Sequence, residues 1–490
     1  VVYNDATESS APSKTAIETL NEALQGFSDE NLEKPGENFI LAINLGVLSN
    51  FIESSYGDSF KQLRKYVINS NLLTNQLNEK GYEENSAFQH VSFSDYHMYN
   101  LTVHGVKPEY LERILEKVFC MDFENPFYNV YSNDCKECPL SQKCPVKHNF
   151  EFLGNEKNRN YVANALVEVT IKDKEILTTR EILNYIYDII VAQNFNYKKM
   201  AQSSTNEVSF LKEYISDITP SLMYEYIDKS VLLNQLQKYD PLLVRSEQAD
   251  EDAISYYVSS DVSNEVVSVL DKEAYSKVLC QQSAIEKINS DKVLKAQLFN
   301  ILERLKTIKS DIVQDNAYVS FLKMLYYFNT GTTKKYGELY GLVEDAVIQW
   351  CGNEDQDNVC FDDCHEGIAL YEHIEFEPYL DVSPSVKKNE ELQRFLPFIT
   401  VKYESKKTKE TKEIIPLDID YSLYELIYKL AAGYIQTAED RNNHADFISF
   451  IYKILRTGSA DKEVFLVTDD NRKAIIEKTK FGVYKFKVVR

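Results

Sequence analysis

The sequence predicts a multidomain α/β chain. Its N-terminal part is expected to be a P-loop NTPase-like nucleotide-binding core. A cysteine-rich metal knuckle, a large helical middle region and an α+β C-terminal domain follow. Three observations carry this expectation. Val1-Val2-Tyr3-Asn4-Asp5-Ala6-Thr7 reads as a buried strand ending in Asn-Asp, and Phe39-Ile40-Leu41-Ala42-Ile43-Asn44-Leu45-Gly46 is a second apolar run beyond a helix. Strand–helix–strand with a polar residue at each strand's carboxyl end is the layout of such a core. Cys135, Cys138 and Cys144 crowd into one short stretch. From Thr178 to Trp350, apolar residues recur at helical spacing.

Residues 1–119 are assigned to the partial core, whose first strand and Walker A loop are expected upstream of Val1. Ser13 can cap a helix with Ile17, Leu20 and Leu24 on one face; Gly26 ends it, and Pro35-Gly36 turns into the second strand. Val91 and Phe93 suggest a short antiparallel excursion over 88–104, and Tyr110 to Val118 an amphipathic helix. Residues 120–177 hold the cysteine segment and a connection. Residues 178–350 are the helical domain. Thr178 and Glu181 form a capping box there, and Ile285 to Ile308 is the strongest helix. Residues 351–394 are acidic and read as a solvated connection. Residues 395–490 are the α+β domain, with strands near 395–401, 414–415, 464–467 and 483–489 around helices near 422–431 and 442–456.

Bulk properties narrow the function classes. The chain has 490 residues, with Lys+Arg 54 against Asp+Glu 76, a formal net charge of -22. Such a chain repels phosphate at long range, so contact with DNA requires a local patch or a partner subunit. No apolar run is long enough for a membrane span, and no signal peptide is visible. Eight cysteines in this length do not suggest a disulfide scaffold. Their clustering points to metal in a reducing, cytoplasmic compartment.

The cysteine cluster is the most specific local signal. Cys135-x2-Cys138-x5-Cys144 brings three soft donors onto one tight knuckle, suited to tetrahedral zinc or an iron–sulfur cluster. The fourth ligand is His148, one helical turn after Cys144, or Cys120 upstream. Zinc leads because a structural site tolerates a histidine. The expected role is to staple an irregular segment poor in apolar residues. Cys351, Cys360, Cys364 and His365 form a looser group, read as ordinary thiols.

No G-x-x-x-x-G-K-[ST] occurs in the chain. Gly331-Thr332-Thr333-Lys334 lacks the earlier glycine and sits among helices. The accessory positions of a nucleotide site are therefore the candidates. Asp5 could hold Mg²⁺ or its waters, or simply cap a turn. Asn44 could orient an attacking water or sense a γ-phosphate, or form a strand-end turn with Gly46. Arg180, in the first turn of a helix, does not suit the dipole and could reach a nucleotide phosphate; the alternative is an exposed arginine. The lysines from Lys402 to Lys412 are interleaved with glutamates and read as a solvated hairpin loop. No nucleophile–base pair stands out.

The order of these motifs resembles the DptF family, the ATPase-like component of DNA phosphorothioation-dependent restriction in bacteria (the Dnd/Dpt defence system). Asn4-Asp5-Ala6-Thr7-Glu8-Ser9 with Lys14-Thr15-Ala16-Ile17-Glu18-Thr19-Leu20 is similar to the segment after its Walker A region. Ala42-Ile43-Asn44-Leu45-Gly46-Val47-Leu48 resembles its next core strand. Asn125-Pro126-Phe127 with Cys-x2-Cys-Pro-x4-Cys-Pro resembles its cysteine segment. Leu177-Thr178-Thr179-Arg180, Pro416-Leu417-Asp418, Leu423-Tyr424-Glu425-Leu426 and Gly433-Tyr434 fit as well. The resemblance implies an ATP- and Mg²⁺-dependent P-loop ATPase subunit of an antiviral restriction complex that attacks DNA lacking phosphorothioate modification. Its partners would be a helicase-like ATPase and a further subunit, with DNA reached through the complex. Asp5 and Asn44 would be its catalytic polar residues and Arg180 its phosphate sensor. The alternative is a catalytically inactive, zinc-stapled scaffold of the same complex.

Overall fold

Thr15 starts the first helix; Ser13, the expected cap, lies outside the described residues. Its hydroxyl accepts the Glu18 amide while Glu18 reaches back to the Thr15 amide, closing a capping box on the Ala16–Leu24 helix. Leu20 and Leu24 face inward and meet Leu48, Phe51, Ile52, Phe60 and Val67 in one core. Asp29 binds the free amides of Lys61 and Gln62 at 2.8 and 3.0 Å, capping the Lys61–Asn69 helix from another segment. Gly57 has no alternative in this packing, because a Cβ there would lie 2.2 Å from the Ile52 carbonyl oxygen.

The computed structural model describes residues 14–34, 36, 38–73, 86–93, 96–203, 206–225, 230–244, 246–310, 315–352, 358–364, 367–374, 376–380, 391–405, 413–456, 463–468, 470, 472–479 and 481–489. Contacts divide the chain into two units. One takes in Val1–His97, Pro384–Lys388 and Gln393–Leu396; the other takes in Met98–Ser383, Asn389–Leu392 and Pro397–Arg490.

The strand expected over Phe39–Gly46 does not form. Residues 38–44 carry no regular structure, and a helix, Leu45–Glu53, begins inside the run. Leu41 and Ile43 pack on the first unit's core, whereas Ile40 is 96% exposed. From Leu45 the spacing turns helical and buries Leu48, Phe51 and Ile52. A P-loop core would need parallel strands at this point. The strand pairings whose register is resolved among the described residues are antiparallel. Val1–Thr7, the other expected strand, lies outside the described residues.

The second unit is helical in its first two-thirds. Thr178 and Glu181 close the expected capping box on the Thr179–Asp188 helix. The expected helix from Ile285 to Ile308 is two, Gln282–Ser290 and Lys292–Lys309. Asp291 interrupts it by taking the Val293 and Leu294 amides. Arg304, 2% exposed on the second of these, makes a bidentate pair with Asp240 at 3.0 and 2.6 Å and reaches Glu225 at 2.6 Å. A buried guanidinium is tolerable only with such partners.

Among the described residues there are ten strands: β1 (Tyr96–Thr102), β2 (Gly105–Lys107), β3 (Asn358–Cys364), β4 (Ile368–His373), β5 (Glu391–Arg394), β6 (Ile399–Ser405), β7 (Glu413–Ile419), β8 (Glu463–Thr468), β9 (Lys473–Lys478) and β10 (Tyr484–Val489). They form three sheets, β2-β1-β5, β10-β9-β8-β4-β3 and β6-β7. The acidic stretch read as a solvated connection contains the β3–β4 hairpin, with Val359 and Glu372 buried. Strand β9 had no counterpart in the sequence reading. Among the described residues, no helix is long and apolar enough to cross a membrane.

Lys172 ties the helical part to the last third. At the end of the Glu156–Lys172 helix, its ammonium lies 2.6 Å from both Glu168 and Asp315. Tyr239, Tyr318 and Tyr421 surround it with ring centroids at 5.1, 5.1 and 5.3 Å. Asp315 also caps the Asn316–Asn329 helix and accepts the Tyr421 hydroxyl at 3.0 Å. Replacing Lys172 by Met should lower stability by about 3 kcal/mol, because two carboxylates lose their cation. Urea denaturation checks this, with exposed Lys198→Met as an unaffected control.

Candidate functional site

The cysteine segment is helical rather than irregular. Asn125 starts the Pro126–Glu137 helix by accepting the Phe127 amide, while its side-chain amide binds the Val118 and Cys120 carbonyls at 2.9 and 2.8 Å. That buried asparagine fixes the turn out of the Glu109–Phe119 helix. Cys135 lies in the last turn of Pro126–Glu137, and Cys138 is its C-cap. Ser141 and Lys143 close tight turns back to Cys138 and Leu140. Cys144 then caps the Pro145–Leu153 helix, with Pro145 at the first position.

This geometry gathers Cys135, Cys138 and Cys144. Burial pushes the Cys135 thiol up; Lys147 opposes that, and Cys138, Asp134 and Glu151 add to it. Burial also raises Cys144, partly offset by the backbone amides of Lys147 and Val146, with Cys135 and Cys138 raising it further. Thiols held in this state are poor nucleophiles. A metal would draw off their protons. Among the described residues, however, no group of three or more His, Cys, Asp or Glu side chains is placed to hold a metal ion. Cys138 rests 3.9 Å from the Tyr197 hydroxyl.

The two candidates for a fourth donor differ. Cys120 is the C-cap of Glu109–Phe119, its sulfur 4.0 Å from the Lys117 carbonyl. His148 is fully buried on the Pro145–Leu153 helix. Its Nδ1 meets the Tyr214 hydroxyl at 2.7 Å, and its Nε2 has no partner. Burial pulls its pKa down to about 4, with Glu151 opposing and Lys277 and Lys147 assisting. The imidazole is therefore neutral at pH 7, as a metal ligand must be.

The nucleotide candidates fare differently. Asp5 lies outside the described residues. Asn44 is not at a strand end: it is the N-cap of Leu45–Glu53, and its Oδ1 accepts the Val47 amide at 2.7 Å. Arg180 is exposed in the first turn of Thr179–Asp188. Asn44 belongs to the first unit and Arg180 to the second. In the looser group, the Cys351 thiol is pushed up to about 12 by burial, then by Cys360 and Glu372. His365 lies outside the described residues.

Two features escaped the sequence. Asn149 is fully buried and satisfied on every side. It donates to the Ile190 and Asp217 carbonyls and accepts from the Thr219 amide and the Tyr275 hydroxyl. Nothing in His148-Asn149-Phe150 marks it out. Beside it, a cavity of about 290 Å³ is lined by Pro145, Lys199, Phe210, Tyr214, Asp217 and Gln297, among others.

Two predictions follow from this packing. Asn149→Ala should destabilise the chain by roughly 3 kcal/mol, since several buried groups lose partners at once; a urea midpoint that does not move would contradict it. Asp217 is raised to about 6, chiefly by burial, then by Glu213, against Lys199. A carboxyl with a raised folded pKa favours the fold below its unfolded pKa, and this contribution is lost as pH rises through about 6. Asp217→Asn should therefore stabilise at pH 7.5, by about 1 kcal/mol after allowance for solvent screening, and have little effect near pH 4. Thermal melts at the two pH values check the sign. Comparison with family models, with curated proteins and with solved structures finds no match to this chain.

Proposed function

We propose that the chain is an adaptor subunit of a multi-subunit bacterial restriction assembly. It is stapled by one structural zinc at Cys135, Cys138 and Cys144 and does not itself turn over nucleotide. The observation that carries this reading is the placement of Cys135, Cys138 and Cys144 along the turn between the Pro126–Glu137 and Pro145–Leu153 helices, where Cys135 and Cys138 both act on Cys144. Zinc would hold these as thiolates and fix the turn between the two helices. His148 is the preferred fourth donor, because its Nε2 is buried and unpartnered. The assembly itself, one that attacks DNA lacking phosphorothioate beside a helicase-like ATPase, rests on the ordered motifs shared with the DptF family. Supply of the DNA grip by partners accords with the net charge of -22.

Hydrolysis would instead require Asp5 and an Asn44 free to orient water. The capping bond to Val47 argues against that use of Asn44.

Elemental analysis of the purified chain should find one zinc, lost in Cys135→Ser and Cys144→Ser but kept in Cys120→Ser. Chelation should lower the thermal midpoint by several degrees. Finding neither zinc nor iron removes the staple. The adaptor role is tested by co-purification with neighbouring gene products, followed by ATP turnover with and without DNA. Turnover that disappears in Asp5→Ala would return the chain to the hydrolases.

A further inference from the structure

The five-stranded sheet ends at β10, and among the described residues no strand lies beyond it. An edge strand offers a row of backbone amides and carbonyls to any extended chain. β10 adds side chains to that offer. Tyr484, Phe486 and Val488 are 60%, 64% and 65% exposed, and strand alternation puts them on one face. The register carries this apolar face inward: Phe486 lies opposite Ile476, which lies opposite Val464, and Val488 opposite Ala474, which lies opposite Leu466. Lys485 and Lys487, both exposed, share the other face, where Lys487 reaches Glu477 at 3.6 Å.

The two edges of this sheet are treated differently. β3, at the far side, has a bulge between Cys360 and Asp362, which breaks the ladder against a newcomer. β10 pairs with β9 without interruption from Tyr484 to Val489 and carries no proline. Its charges also select the occupant. In antiparallel pairing with a second copy of β10, a register that keeps apolar against apolar sets Lys485 opposite Lys487, or one lysine opposite itself. A register that separates the lysines sets them against Tyr484, Phe486 and Val488. Like charges directly opposite each other are destabilising. Single-stranded nucleic acid fits poorly too, because bases stacked on Tyr484 and Phe486 would leave both lysines on the far face from the phosphates.

We propose that β10 is the docking edge for an extended segment of a partner protein that alternates apolar with acidic residues, added to the sheet as a sixth strand. The apolar residues extend the Tyr484–Phe486–Val488 face, and the acids stand opposite Lys485 and Lys487. This inference stands on the sheet alone and is independent of the zinc staple.

The test uses the full chain and a labelled octapeptide alternating valine with glutamate, read by fluorescence anisotropy. A valine–lysine octapeptide and oligothymidylate serve as the alternatives. Saturable binding of the valine–glutamate peptide is expected. The Lys485→Glu/Lys487→Glu variant should bind it roughly ten-fold more weakly and should gain the valine–lysine peptide. Lys485 lies opposite Glu477 and Lys487 reaches it, so the double glutamate variant should lower the denaturation midpoint somewhat. The Lys485→Gln/Lys487→Gln variant, which sets no like charges against Glu477, should keep the far-ultraviolet circular dichroism and nearly the same midpoint while still binding the valine–glutamate peptide several-fold more weakly. Equal binding of the two peptides, no saturable binding, displacement by oligothymidylate, or self-association of the chain in place of peptide binding would each overturn the proposal.

Discussion

A single buried ammonium organises the second unit. Lys172 is desolvated, which by itself would lower its pKa, yet Glu168 and Asp315 raise it above the ordinary lysine value. The pair of carboxylates does more than neutralise. Asp315 is at once the anion for Lys172, the cap of Asn316–Asn329 and the acceptor of the Tyr421 hydroxyl. One side chain therefore sets where three helices meet: Glu156–Lys172, Asn316–Asn329 and Tyr421–Ala431. Three tyrosine rings complete the cage, so the cation keeps attractive neighbours on the sides the acids leave open. Arg304 solves the same problem elsewhere with Asp240, Glu225 and the Tyr224 ring. Both arrangements punish any rearrangement that strips the cation of a partner.

The cysteine segment sits within the same framework. Its two helices are positioned by buried polar residues, Asn125 before the first and Asn149 within the second, whose hydrogen bonds reach neighbouring elements. The thiols then fall where helix ends leave amides and carbonyls without intrahelical partners. This is a preformed setting rather than a flexible loop. A metal here would tighten an existing turn, which separates a staple from a folding nucleus.

How much could be read from the sequence depended on where the information lay. The Thr178 capping box, the Glu109–Phe119 helix and the C-terminal helices were visible because caps and periodicity are local. The apolar run at Phe39–Gly46 misled because a short apolar segment fits a strand or a helix start equally well, and Asn44 is a good N-cap as well as a plausible strand end. The break at Asp291 was hidden by apolar residues that keep helical spacing on both sides of it. The β3–β4 hairpin was missed because acids dominate its composition, while its inward positions, such as Val359, are few. The spacing of Cys135, Cys138 and Cys144 drew attention to this segment, but it could not show that the segment is built from two helices and a turn. Its buried neighbours, Tyr214 and Asn149, come from distant positions and leave no local trace. Charge had the same weakness: the net -22 conceals the two outward lysines of β10, which matter only once register places them on one face.

The geometry of Asn44 bears on the choice between hydrolase and adaptor more directly than any motif. A residue that positions an attacking water works through a side chain aimed at the reacting atom and shielded from bulk solvent, where its hydrogen bonds are strong and need no reorganisation. Asn44 is exposed, and its acceptor oxygen is engaged by the Val47 amide at 2.7 Å. Releasing that oxygen would uncap the Leu45–Glu53 helix at a cost of about 1 kcal/mol. The helix carries Leu48, Phe51 and Ile52 into the first unit's core, so the cap and the core support each other. A side chain that secures a helix carrying part of a core is badly placed to move with substrate, and this favours a structural role for Asn44.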